Sequence, residues 1–151
     1  MGIYRIKPWE ELTIRDDYMF KLIMSRKRIC KQMLERILHI EIESLSYVET
    51  EKSIIPAYQN KGVRLDVYVK DNKETVYNIE MQMRRLEEDG LSKRTRYYQA
   101  ILDTDLLAAG ASYGVLNRTF IIFICPFDPF GAGRHIYTFR NLCIEDRTLE
   151  L

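Results

Sequence analysis

Several things are scarce in this 151-residue chain, and each shortage excludes something. Its three cysteines, Cys30, Cys125 and Cys143, are odd in number and far apart. They form no zinc-type or disulfide spacing, which points to a reducing, intracellular setting. The two histidines, His39 and His135, suggest neither a metal pair nor a catalytic triad. His39 falls near a predicted helix end and is expected to pack there. Charge of one sign is also lacking: 23 Lys and Arg stand against 22 Asp and Glu. The formal net charge of +1 therefore announces no nucleic acid through a global field, although charge can still be gathered locally. No run approaches the roughly 20 apolar residues of a membrane helix. The start, "MGIYRIKPWEELTIRDD", is charged throughout and has no signal-peptide core. Ile6 stands where a myristoylation signal needs Ser or Thr. "GAG" at 131–133 lacks the rest of a phosphate-binding glycine loop. A soluble, cytoplasmic protein is the expectation.

What is present is material for a core. Hydrophobic residues make up 46% of the chain, and its length suits one domain of about 100–200 residues. "DDYMFKLIMSRKRICKQMLERILHIEI" has apolar residues at three- and four-residue spacing and predicts a helix, with "SRKR" able to divide it in two. Asp16 and Asp17 would start it, where negative charge suits the helix dipole. "IESLSYVETEKSII" predicts a strand with a bend, ended by Pro56, and "QNKG" a turn. Two alternating runs follow around a polar turn, with Val63, Leu65, Val67 and Val69 on one face of the first. A helix with Leu91, Tyr98, Ile101, Leu102 and Leu106 on one side is expected to end at Gly110. "RTFIIFICPF" predicts a strand buried on both faces, "DPFGAG" a turn, and "RHIYTFRNLCI" a last strand. No repeat or linker interrupts this order, so one α/β domain over 1–151 is expected.

The unusual feature is the hairpin "RLDVYVKDNKETVYNIEMQM". Asp66 sits inside its first strand and Glu80 inside its second. A turn centred on Lys73 sets Asp66 opposite Glu80, with Cβ atoms about 4.5–5.5 Å apart. Like charges so placed destabilise a sheet unless a cation lies between them. Mg²⁺ is hard, prefers oxygen, and is typically held by one or two carboxylates. Gln82, two residues after Glu80, leaves the same face. The plain alternative is a pair of solvated acids on a half-exposed strand. A register slip of one residue would also separate them.

These stretches together resemble the PD-(D/E)xK nuclease superfamily, and more closely its recombination-promoting nucleases and transposases. "DDYMFKLIM" resembles the family's opening D-x-x-F-K segment, with Asp17 at the acidic position. "RLDVYVKD" resembles the strand with the first catalytic acid, Asp66. "YNIEMQM" resembles the E-x-Q strand, with Glu80 and Gln82. "KRTRYYQAIL" resembles the R-x-x-x-Y helix, with Arg94 and Tyr98, and "RTFIIFICPFDPFGAGRHIYTFRN" the strand and turn beyond. The superfamily's lysine is Gln82 here, and Leu65 replaces the proline before its aspartate. Family members are usually longer, so the resemblance implies a chain truncated at its C-terminal side.

The resemblance implies a restriction-endonuclease-like α/β core, a mixed central β-sheet flanked by helices in the order α-β-β-β-α-β. It implies hydrolysis of DNA phosphodiester bonds, in recombination or mobile-element contexts. Mg²⁺ or Mn²⁺ would be held by Asp66 and Glu80, with Gln82 on a water or phosphate oxygen. Asp17 would reach the metal, or else serve only as a helix N-terminal acid. Arg94, Tyr98, Arg84 and Arg85 would meet the substrate; for Arg94 the alternatives are orienting Glu80 or packing over Tyr98 at the surface. Glu87, Glu88 and Asp89 interrupt this basic stretch, and Arg26, Lys27, Arg28 and Lys31 form a second one that reads as a solvated helix face. A homodimer is expected from the need to cut two strands. The competing readings are a catalytically degenerate nuclease fold that binds DNA or another partner, and a small-molecule phosphohydrolase, for which no base or sugar pocket signal is seen.

Overall fold

The computed structural model describes residues 7–55, 61–86 and 90–151. The first helix, α1 (Asp17–Met24), starts where the Asp16 carboxylate accepts the Thr13 backbone N–H at 2.9 Å and pairs with Lys7. The helical pattern divides at Ser25 and Arg26, as the "SRKR" break predicts, and resumes as α2 (Lys27–Leu38). His39 ends α2 in the left-handed region at φ 53°. It is exposed, so its role is to turn the chain and not to pack.

Four strands follow the helical pair: β1 (Leu45–Ile54), β2 (Val63–Asp71), β3 (Val76–Met81) and, after α3 (Gly90–Leu106), β4 (Thr119–Ile124). They form one sheet in the order β1-β2-β3-β4. The first two pairings are antiparallel and the last is parallel. The parallel pairing needs a crossover, which α3 supplies. Phe20, Met24, Cys30 and Leu34 of the first two helices pack on Val67, Val69, Tyr77 and Ile79. Tyr98, Ile101 and Leu102 of α3 cover the other face at Leu65, Tyr68 and Val76. This is the expected α/β arrangement, a mixed sheet between helices consistent with a restriction-endonuclease-like core. Among the described residues, no helix is long and apolar enough to cross a membrane.

Four local expectations are corrected. Val63, Leu65, Val67 and Val69 do not share a face. The first two pack with α3, and the last two with the helical pair. The phase changes at Asp66, and the level is marked on β1 by Glu51, a non-glycine residue at φ 62°. Glu51 lies between Thr50, which pairs with Val67, and Lys52, which pairs with Leu65. The pairing of the two strands runs through this level without a shift in register.

The strand β4 is apolar on both sides because both faces of the sheet are covered. It is nevertheless an edge strand, and only Ile122 in it is buried. α3 ends at Leu106, before Gly110, which turns the chain at φ 82°. The predicted last strand does not form. Asp128 instead accepts the backbone N–H groups of Phe130, Gly131 and Gly133 and the Tyr137 hydroxyl. That local knot turns Tyr137 back on the loop, and the only pairing beyond it among the described residues is a bridge between Leu142 and Glu150. Pro56 and part of "QNKG" lie outside the described residues.

Candidate active site

Strands β2 and β3 pair from Lys70–Val76 through Val67–Ile79, the register that a turn centred on Lys73 predicts. The next pair in that register is Asp66 and Glu80. There the backbone ladder gives way to side chains. Glu80 Oε1 accepts the Asp66 backbone N–H at 3.0 Å, and Asp66 Oδ2 accepts the Met81 backbone N–H at 3.0 Å. The two carboxylates thus take over the hydrogen bonding of the place where the strands part.

Glu80 is 1% exposed. Burial foremost, and then repulsion from Asp66, pushes its pKa up to about 7, against the lowering effects of the Asp66 N–H and the Arg94 guanidinium. The Asn78 amide on the same face adds a small lowering effect without a hydrogen bond of good geometry. Asn78 pairs across the hairpin with Tyr68, and among the described residues the Tyr68 hydroxyl is likewise buried without a hydrogen-bond partner. Unsatisfied polar groups cost stability when buried.

The helix α3 brings Arg94 onto this pair. Its guanidinium donates to Glu80 Oε2 at 2.8 Å and to Gln82 Oε1 at 2.6 Å. Its Nε donates to the Tyr98 hydroxyl at 2.9 Å, one helical turn away, as the R-x-x-x-Y spacing allows. The guanidinium also lies 4.9 Å from the Tyr98 ring centre and 5.3 Å from that of Phe123. Of the alternatives open for Arg94, the contact with Glu80 and the packing over Tyr98 are both present. Gln82 is occupied at both ends, since its Nε2 donates to the Arg84 carbonyl.

Asp17 is not in contact with the pair. Its Oδ2 holds Lys21 Nζ at 2.7 Å, and Glu51 Oε1 holds the same amine at 3.0 Å. Lys21 is only 8% exposed. Burial lowers its pKa, but the hydrogen bonds to Asp17 and Glu51 and the attraction of Asp17 and Asp66 outweigh that, and the net direction is upward. Lys21 and Glu51 were missed in the sequence. Lys21 is the lysine of the D-x-x-F-K segment, and that motif, with the four-residue spacing from Asp17, was a usable signal for it. Nothing in the sequence marks Glu51, whose place depends on its left-handed backbone.

The other basic residues lie further out. Arg84 and Arg85 are exposed, and Arg85 sits 5.0 Å from the Phe127 ring centre. Lys27 reaches the Ser46 carbonyl and Lys31 pairs with Glu35, so the cluster on α2 is a separate face.

Among the described residues, no three His, Cys, Asp or Glu side chains gather as a metal site. The available donor set is the Asp66–Glu80 pair. It fits a hard divalent cation in kind, because two carboxylates share a poorly solvated place, where burial first and their repulsion second raise Glu80.

A family model described as "PD-(D/E)XK nuclease family transposase" matches residues 14–141. No curated protein and no solved structure matches the chain.

Proposed function

The chain belongs to the PD-(D/E)XK nuclease family transposases, and from that premise we propose that it is a metal-dependent DNA endonuclease acting at the Asp66–Glu80 pair. The observation that carries this reading is the reciprocal bonding of the two acids where β2 and β3 part. Asp66 and Glu80 would hold Mg²⁺ or Mn²⁺. When bound, such an ion lowers the pKa of a coordinated water and offsets charge on a phosphoryl oxygen.

The protein groups divide the remaining work. Asp66 is held in place by the Met81 N–H, so its second oxygen is directed by the backbone. Glu80 must lose its proton to serve as a ligand, and the Arg94 guanidinium favours that loss while fixing the carboxylate plane. Tyr98 in turn holds Arg94. Gln82 offers a neutral amide to a water or phosphate oxygen once Arg94 or the Arg84 carbonyl releases it. Asp17 acts on the site through Lys21. Arg84 and Arg85 offer charge to the DNA backbone, which positions a duplex without reading its sequence. These residues work as one nuclease-like domain, in recombination or mobile-element contexts. Cutting both strands in one encounter calls for two copies of it.

One observation favours a second reading, a degenerate fold that binds DNA without cutting. Arg94 already sits on Glu80, where a ligating carboxylate would otherwise be open. Plasmid cleavage by the purified chain in Mg²⁺, Mn²⁺ or EDTA, beside Asp66→Ala and Glu80→Ala, separates the two. Metal-dependent nicking that both substitutions abolish supports the endonuclease. DNA binding that survives both substitutions, with no cleavage by any form, supports the binding module.

A further inference from the structure

We propose that the loop following β4 is a stacking surface for unpaired DNA bases, formed by Phe130 and Phe139, and that the DNA taken to the acid pair carries an unpaired stretch there. The proposal rests on the nuclease reading and names the class of DNA that site takes.

The loop starts beside the acids. Glu80 lies across from Phe123 in the parallel pairing of β3 with β4, and the Gln82 backbone N–H donates to the Ile124 carbonyl at 2.9 Å. Phe127 comes four residues after Phe123, at most about 14 Å of chain. The Arg85 guanidinium lies 5.0 Å from the Phe127 ring centre. The base of the loop is thereby tied to the segment that leaves β3 just after Glu80 and Gln82.

Its shape is fixed by Asp128. That carboxylate accepts the backbone N–H groups of Phe130, Gly131 and Gly133 at 3.0, 2.9 and 2.7 Å and the Tyr137 hydroxyl at 2.7 Å. Gly131 and Gly133 supply the left-handed backbone, at φ 69° and 68°. The Tyr137 hydroxyl foremost, with the N–H groups and against some desolvation, holds the Asp128 pKa down at about 2, so the knot keeps its charge at neutral pH. A surface ordered in advance loses less freedom when it binds.

The knot presents aromatic rings to solvent. Phe130 packs on Tyr137 and Phe139, with ring centres 4.8 and 5.1 Å apart. Phe130 is nevertheless 49% exposed and Phe139 73%. Every base has a π face and stacks on such rings whatever its identity. In a duplex those faces are covered by neighbouring bases, so the rings select unpaired stretches. The charge suits the same partner. Asp128 is the only acid between Cys125 and Asn141, and its carboxylate is occupied in the knot. Arg140 pairs with Glu150, while Arg84, Arg85 and Arg134 are exposed. Cations beside aromatic rings meet the phosphates and the bases of a single strand together.

The test is DNA binding in EDTA, where no metal-dependent cleavage interferes. Fluorescence anisotropy with a labelled oligothymidine of about 12 nucleotides is compared with a blunt duplex of the same length. One stacked base corresponds to about fivefold or more in affinity, so the wild type should favour the single strand by at least that factor. Phe139→Leu keeps an apolar side chain and removes the π face. It should lose about fivefold or more for the single strand and change little for the duplex, and Phe139→Trp should restore the loss. Melting temperatures close to wild type in both variants show that the loop is intact. Equal affinity of the wild type for the two DNAs would overturn the proposal. So would Phe139→Leu within about twofold of wild type on the single strand. If that variant instead keeps its DNA affinity and light scattering shows that it has lost a dimer the wild type forms, the rings are an interface between copies, and the proposal falls. Failure of the nuclease reading is told apart by plasmid cleavage. A wild type that prefers the single strand yet cuts in no metal keeps this surface and removes the endonuclease, and one that cuts without that preference does the reverse.

Discussion

Glu80 receives the backbone N–H of Asp66, and Asp66 receives that of Met81, so each acid is hydrogen-bonded to the strand opposite its own. The arrangement keeps two carboxylates together in a place where burial and mutual repulsion oppose it. Its consequences are open to measurement.

The first concerns pH. The Glu80 pKa is pushed from 4.5 up to about 7 in the folded protein. A carboxyl raised in this way favours the folded state most below its unfolded pKa, and the contribution is lost as pH rises through the folded value. The melting temperature of the metal-free protein should therefore fall between about pH 5 and pH 8. Glu80→Gln, which cannot titrate, should flatten that fall. Calorimetric unfolding across the range checks both. Over the same interval Mg²⁺ affinity should rise, because the ion competes with a proton for Glu80.

Metal dependence supplies the second. A ligand that binds only the folded state stabilises it by about 2.7 kcal/mol at 100 times its dissociation constant. Mg²⁺ or Mn²⁺ should raise the melting temperature of the wild type at about pH 8, where Glu80 is ionised, and EDTA should reverse it. Asp66→Ala should abolish the shift while leaving the metal-free protein folded. A shift that persists in Asp66→Ala would place the ion elsewhere.

Removing the arginine gives the third. Arg94→Met takes away a charged hydrogen bond to Glu80, one to Gln82 and the contact with Tyr98. Glu80 can answer by holding its proton, which limits the damage to about 1–3 kcal/mol at neutral pH. Its titration should move still higher, readable by carboxyl NMR. Arg94→Lys should restore little, because an ammonium cannot span Glu80, Gln82 and Tyr98 as the planar fork does.

The strained position on β1 provides the fourth. Glu51→Ala and Glu51→Gly both remove the carboxylate from Lys21, and they differ in the cost of a left-handed backbone. Glycine should be the more stable of the two by about 1 kcal/mol in denaturant unfolding. Equal stability would mean that the residue relaxes to an ordinary strand conformation once its carboxylate has gone.

How far this was legible in the sequence differs from residue to residue. The pairing of Asp66 with Glu80 was legible, because a short polar turn sets the register of the strands that flank it. The reach of Arg94 to Tyr98 was legible in four-residue helical spacing. Its contact with Glu80 was not, since that depends on which face of the sheet α3 covers. The final strand was misjudged because Asp128 offered the backbone nearer partners than a sheet edge does.

The sequence by itself determined the order of elements as far as β4, the hairpin register and the residue types brought to its open end. These follow from periodicity and turn chemistry, which act between near neighbours in the chain. Only the tertiary structure decided that the Glu80 pKa is raised to about 7, that Val63 and Leu65 turn to the opposite face from Val67 and Val69, and that Lys21 joins Asp17 to Glu51. Desolvation and charge act through space, so they depend on segments that meet only once the sheet has been covered on both sides.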